Sequence, residues 1–141
     1  MAAAAFKAAI AAIACAGCTA MQFSPGVVEG SHWRVTSING HATPERGRFR
    51  MEFDRAGMVS ARFGCNSGGG SYRIQRDRIV TRGIIQTQMA CQSVLPTAID
   101  PMTWERWGFA VLGRPMRMES QGKQRLLLRN EAGSILLERL P

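Results

Sequence analysis

The segment RFRMEFDRAGMVSARFG constrains the fold more than any other part of the chain. Phe49, Met51 and Phe53 alternate with Arg48, Arg50 and Glu52; after Asp54-Arg55-Ala56-Gly57, Val59, Ala61 and Phe63 alternate with Met58, Ser60 and Arg62. A period of two places the apolar set on one face of an extended strand and has no counterpart on a helix. Two such runs joined by Asp-x-Ala-Gly predict an antiparallel hairpin with one buried face and one wet, arginine-bearing face. The aspartate can accept hydrogen bonds from its own turn, and the glycine supplies positive φ.

The same device returns where Leu126 and Leu128 lead through Asn130-Glu131-Ala132-Gly133 into Ile135, Leu136 and Leu137. The likeness of the two hairpins is compatible with an internal duplication and with independent use of a common turn. Tyr72–Gln75 and Arg78–Val80 read as a third pair, turning at Arg76-Asp77. One helix interrupts the strands. Asp100 suits its N-cap, Pro101 its first position, and Gly113 with Pro115 its end. Trp104, Trp107, Gly108, Val111 and Leu112 fall on one stripe, with Arg106 pointing away. The tryptophan pair reads as an anchor holding the helix on the sheet; an aromatic platform for a ligand is the alternative. The chain is thus expected to be mainly antiparallel β with one α-helix. Its 141 residues allow one domain.

The start, MAAAAFKAAIAAIACAGCTA, has a positive charge at Lys7 and then roughly ten small or apolar residues, the pattern of an export signal. That run is too short to span a bilayer. Cys15-Ala16-Gly17-Cys18 resembles a bacterial lipobox, which implies cleavage after Gly17 and lipidation at Cys18; Ala14-Cys15-Ala16 offers an ordinary cleavage site instead. Thr19 is not the aspartate that marks inner-membrane retention, so the resemblance points to the outer membrane. The organisation expected is a signal peptide over 1–17, a tether over 18–31 and a domain over 32–141. Eighteen Lys plus Arg against ten Asp plus Glu give a net charge of +8. This favours anionic lipid or another anionic envelope component. The basic residues are dispersed and carry no nucleic-acid-binding motif, so a solvated basic surface and no nucleic-acid partner are expected.

Trp33 in WRVTSING, the block GCNSGGGSY and the later TQMAC together resemble a META domain of the HslJ type. Gly64, Cys65, Asn66, Gly70 and Tyr72 match the first block, and Thr87, Met89, Ala90 and Cys91 the second; Glu105 lies in the helix where the family carries a glutamate. The resemblance implies a small, partly open antiparallel β-barrel with one helix, often in an envelope lipoprotein linked to heat shock, antibiotic resistance or secretion. It brings no enzymatic activity and no cofactor. The run Gly68-Gly69-Gly70 is richer in glycine than the family pattern.

With Cys15 and Cys18 in the export segment, Cys65 and Cys91 are the pair left to the domain, in a compartment where disulfides persist. A structural disulfide is the favoured reading. In the chain-entropy account, closing a loop of about 27 residues stabilises by roughly 3.5 kcal/mol. A zinc site drawing on Cys65, Cys91, His32 and His41 lacks recognisable ligand spacing. A Cys65 nucleophile would need one of those histidines beside it. The glycines lack the Lys-Ser or Lys-Thr of a phosphate loop. Asn66 through Ser71 read as a bend into the strand of Tyr72, with a ligand-admitting barrel mouth as the alternative. The expectation is a monomeric, non-catalytic, lipid-anchored protein of the outer membrane facing the periplasm. A binding module for lipid or a small apolar ligand is the second reading, and a secreted cysteine-dependent enzyme the third.

Overall fold

A computed structural model describes residues 25–44, 48–92 and 99–141. The strands are β1 (Ser31–Ile38), β2 (His41–Ala42), β3 (Phe49–Phe53), β4 (Met58–Phe63), β5 (Ser67–Gln75), β6 (Arg78–Gln86), β7 (Met116–Ser120), β8 (Arg125–Asn130) and β9 (Gly133–Arg139), with helix α1 (Pro101–Leu112) between β6 and β7. The residues read from the sequence as an export signal, and Cys18 with them, lie outside the described residues.

The alternation in β3 and β4 produces the expected hairpin. Phe49 faces Phe63, Met51 faces Ala61 and Phe53 faces Val59, and all six side chains are buried. Asp54 Oδ1 accepts from the Met58 amide at 2.7 Å, and Gly57 takes φ of 86°. The β8–β9 hairpin repeats the arrangement: Leu126 faces Leu137 and Leu128 faces Ile135, while Asn130 Oδ1 accepts from the Ala132 amide at 2.9 Å. Every neighbouring pair is antiparallel, in the order β2-β1-β3-β4-β5-β6-β7-β8-β9. The additional pairing of β1 with β9 joins the first long strand to the last and closes eight strands into a barrel, leaving β2 as a short extension on β1. The β6–β7 seam is the thinnest, held by Arg78 opposite Arg117 and Ile79 opposite Met116.

The lumen is filled by side chains, as barrels of this strand number usually are. Trp33, Met51, Phe53, Phe63, Met116 and Leu128 are among those less than 2% exposed. The packing begins earlier than a tether over 18–31 would have it. Val28 is fully buried, and the Ser31 hydroxyl donates to its carbonyl while accepting from Trp33 Nε1 at 2.5 Å.

Helix α1 lies across the end of the barrel where β4 finishes and β3 begins. Trp104 meets Phe49 edge-on at 5.5 Å between centroids, and Phe109 meets Phe63 at 5.0 Å. Asp100 caps the helix by accepting from the Met102 amide at 2.8 Å, and the Gly113 amide closes it on Phe109 O. Trp107 is half-buried, stacked on the exposed His41 at 5.3 Å, so the tryptophan pair anchors the helix as expected. The Leu112 carbonyl accepts from Thr81 Oγ1 at 2.5 Å, so the helix end bridges toward β6 beside the thin seam.

One expectation is corrected here. The third hairpin does turn at Arg76-Asp77, but its strands reach back to Ser67 and forward to Gln86. Gly68, Gly69 and Gly70 are therefore strand residues within the ladder, not a bend ahead of it. A Cβ on Gly69 would stand 2.5 Å from Val59 O, and one on Gly70 would stand 2.5 Å from Arg82 O. Neighbouring backbones approach too closely for any side chain there, which is the physical reason for glycine. The ladder shifts register between Gly69 and Ser71, and Gly83 on the partner strand takes φ of 63°.

Candidate functional site

The corner between β4 and β5, Gly64-Cys65-Asn66, sits at the helix-covered end of the barrel. Gly64 takes φ of 121°, a conformation strained for residues with a side chain. Cys65 is bonded to Cys91 with a Cα–Cα distance of 6.3 Å, within the range a disulfide spans. The next residue, Asn66, is 1% exposed, and Glu105 of α1 is 5% exposed.

These two buried polar groups face each other. The Asn66 amide donates to Glu105 Oε1 at 2.6 Å, and Asn66 Nδ2 donates to Glu105 Oε2 at 2.8 Å and to Met89 O at 2.9 Å. Asn66 Oδ1 accepts from Thr87 Oγ1 at 2.9 Å and from the Met89 amide at 2.7 Å. An asparagine side chain offers two donors and two acceptor positions. All are used, and they tie three separate pieces of chain together: the β4–β5 corner, the 87–91 segment and the helix. Thr87 extends the β5 ladder, its amide donating to Ser67 O at 2.9 Å. Among the described residues no buried side-chain nitrogen or oxygen lacks a partner.

The arrangement clamps these three pieces of chain together. Sulfur atoms of Cys65 and Cys91 and a Glu105 carboxylate oxygen lie within 4.8 Å of one another, a spacing a metal could bridge. The two sulfurs are bonded to each other, so neither is the thiolate that metal ligation or nucleophilic attack requires. Both histidines are exposed and stand apart from this cluster: His32 pairs with Glu52 at 3.7 Å, and His41 lies on Trp107.

The remaining motif residues divide by the kind of role they play. Trp33 is a core side chain, and Gly70 marks a close backbone approach. Tyr72 is buried against Phe53, ring centroids 5.1 Å apart, and its hydroxyl donates to Asp54 O at 2.6 Å. Burial, with the nearby Glu29 and Asp54 carboxylates adding to it, raises the Tyr72 phenol above its ordinary pKa. Thr87 and Met89 serve Asn66, Met89 through its backbone alone, since its side chain is 56% exposed. Ala90 is exposed, and nothing in the structure explains its place in the motif. Glu105 is the member that periodicity did not single out as buried. Its signal was present: Glu105, Gly108 and Leu112 share a stripe at helical spacing, and a carboxylate on a buried stripe demands a polar partner.

An antiparallel eight-stranded barrel with a filled lumen, a helix across one end and a cystine beside a buried Asn–Glu pair defines a small disulfide-clamped β-barrel protein. The META domain profile matches residues 26–139, and the chain belongs to that family. Two solved structures share the fold. One NMR structure superposes with a TM-score of 0.68 at 15% identity, covering 82% of this chain and 94% of its own. An NMR structure of a protein from Burkholderia xenovorans superposes with a TM-score of 0.60 at 17% identity, covering 99% of both chains. No curated protein matches the sequence significantly.

Proposed function

We propose that this META-domain protein is a non-catalytic component of a bacterial envelope, exported by its N-terminal segment and anchored in the outer membrane through lipid on Cys18. In this reading it faces the periplasm as a monomer of the HslJ type and contributes to envelope maintenance or stress tolerance. The observation that carries the proposal is the Cys65–Cys91 cystine, a bond that persists in oxidising compartments and is rare in the reducing cytosol. It stands behind a leader whose small residues precede Cys18 as in a lipobox. The buried polar groups beside the cystine are directed at one another, which suits a structural role for that corner. The alternative of a lipid or apolar ligand held inside the barrel draws no support from a lumen packed with side chains.

Intact mass of the protein recovered from the envelope fraction, without reductant, tests the reading. Acyl chains on an N-terminal Cys18 and a mass two hydrogens below the dithiol form are expected. Unmodified Cys18 in a soluble fraction, or free thiols at Cys65 and Cys91, would sink it.

A further inference from the structure

The outer face of the barrel at β6, β7 and β8 brings three arginines into one row, Arg78 opposite Arg117 and Arg117 opposite Arg129. Like charges directly opposite across a ladder repel, so such a row calls for counter-charge. Carboxylates at the edges supply part of it. Asp77 Oδ2 lies 3.1 Å from Arg117 Nε, Glu119 accepts from Arg129 Nε at 3.0 Å and Nη2 at 2.5 Å, and Glu131 accepts from Arg114 Nη1 at 2.9 Å. Arg78 has no acidic partner among the described residues. The four arginines line a surface depression of about 370 Å³, in which Glu131 is the one acid.

The carboxylates engage some of these guanidinium nitrogens and leave other donors over. Arg117 is engaged through Nε, so both its terminal nitrogens keep their N–H groups. Among the described residues Arg129 keeps Nη1, Arg114 keeps Nη2 and Nε, and Arg78 keeps its whole fork. Planar forks of this kind recognise tetrahedral oxyanions in bidentate fashion, and several of them converging favour a doubly charged anion over a monovalent one.

We propose that the depression bounded by Arg78, Arg114, Arg117 and Arg129 binds a phosphate dianion, supplied either as inorganic phosphate or as the phosphomonoester head group of a lipid. The anion relieves the repulsion along the row and neutralises Arg78. The site stands on the arginine geometry and holds whether or not the protein is anchored in an envelope.

The full chain, titrated with sodium phosphate against chloride of matched ionic strength and followed by calorimetry and arginine side-chain NMR, provides one arm. Flotation with phosphatidylcholine vesicles containing phosphatidic acid provides the other, with phosphatidylglycerol vesicles of equal surface charge as the monoanionic comparison. The double variant Arg78→Gln/Arg117→Gln is expected to weaken binding by about tenfold or more, because two forks are lost at once. A control double away from every opposed-arginine row, Arg55→Gln/Arg106→Gln, makes the same change in net charge and is expected to leave binding within about twofold. All four side chains are exposed, so the variants should fold; matched thermal unfolding verifies this. Saturation by phosphate in solution identifies the free anion as a sufficient ligand, and binding seen only on phosphatidic acid identifies the head group. Absence of binding in both arms, equal loss in the two double variants, or equal affinity for phosphatidylglycerol overturns the proposal.

Discussion

Asn66 shows how one residue can decide the geometry of a whole corner. Its backbone amide and both ends of its side chain reach a helix carboxylate, a threonine hydroxyl and a loop backbone. Truncation by Asn66→Ala removes the side-chain bonds, leaves Glu105 Oε2 without its donor in a buried setting and deprives the Met89 and Thr87 groups of their acceptor. Each such loss costs roughly 1–3 kcal/mol, so a total of about 3 kcal/mol is expected from urea denaturation. Asn66→Asp should be at least as damaging, since it sets a carboxylate against Glu105; a variant as stable as the parent would refute the clamp. Tyr72 gives a second prediction at this scale. The folded protein holds the phenolic proton more tightly than the unfolded chain does. Raising the pH beyond about 10 therefore favours the unfolded state, which ionises first, and stability falls as pH rises through the folded pKa. The chain has a single tyrosine, so tyrosinate absorbance reports on it alone. Thermal melts across that window should show a steeper loss in the parent than in Tyr72→Phe.

At the scale of elements, the strand β5 is where local pattern and structure part company. The β3–β4 hairpin was legible because Phe, Met and Val mark its inward face, and helix α1 because Asp100-Pro101 and Gly113 punctuate it. The first half of β5 shows no such pattern. Glycine is depleted in strands and has no side chain to alternate, so Gly68–Gly70 reads as a bend until the neighbouring backbones are seen. Asn66 was marked by the family motif, yet its link to Glu105 spans 39 residues and follows from no local spacing. The resemblance implied a partly open barrel, and no local pattern foretold the closure of β1 on β9 across about a hundred residues. The close approach itself is testable. Gly70→Ala places a methyl against the carbonyls of Arg82 and Gly83, which cannot rotate away as a side chain would. A loss of about 2–3 kcal/mol is expected, at the upper end of overpacking effects. Gly26→Ala, with nothing within 4 Å of the added carbon, should be neutral or slightly stabilising. Equal effects of the two substitutions on the denaturation midpoint would show that β5 is not confined as described.

The whole molecule is closed twice, once by hydrogen bonds between β1 and β9 and once by the cystine between the β4–β5 corner and the 87–91 segment. The two closures are independent, because the cystine fixes no strand of the β1–β9 pair. Replacing both cysteines, Cys65→Ser with Cys91→Ser, releases a loop of about 27 residues and should lower stability by roughly 3.5 kcal/mol. Small domains carry a margin of about 5–15 kcal/mol, so the barrel is expected to remain folded. The loss should also be uneven. Val35 and Leu137, paired across β1 and β9, are fully buried, and their amides should continue to exchange with solvent only through global unfolding. The Met89 amide, held by Asn66 in an exposed segment, should open locally and exchange much faster than in the disulfide-bonded protein. Hydrogen exchange on the two forms separates these outcomes. Val35 and Leu137 should speed up together by roughly the few hundred-fold that a global loss of about 3.5 kcal/mol dictates, with Met89 exchanging faster still through local opening. Unchanged exchange at Val35 and Leu137 would mean that the cystine adds nothing to global stability and acts at the corner alone.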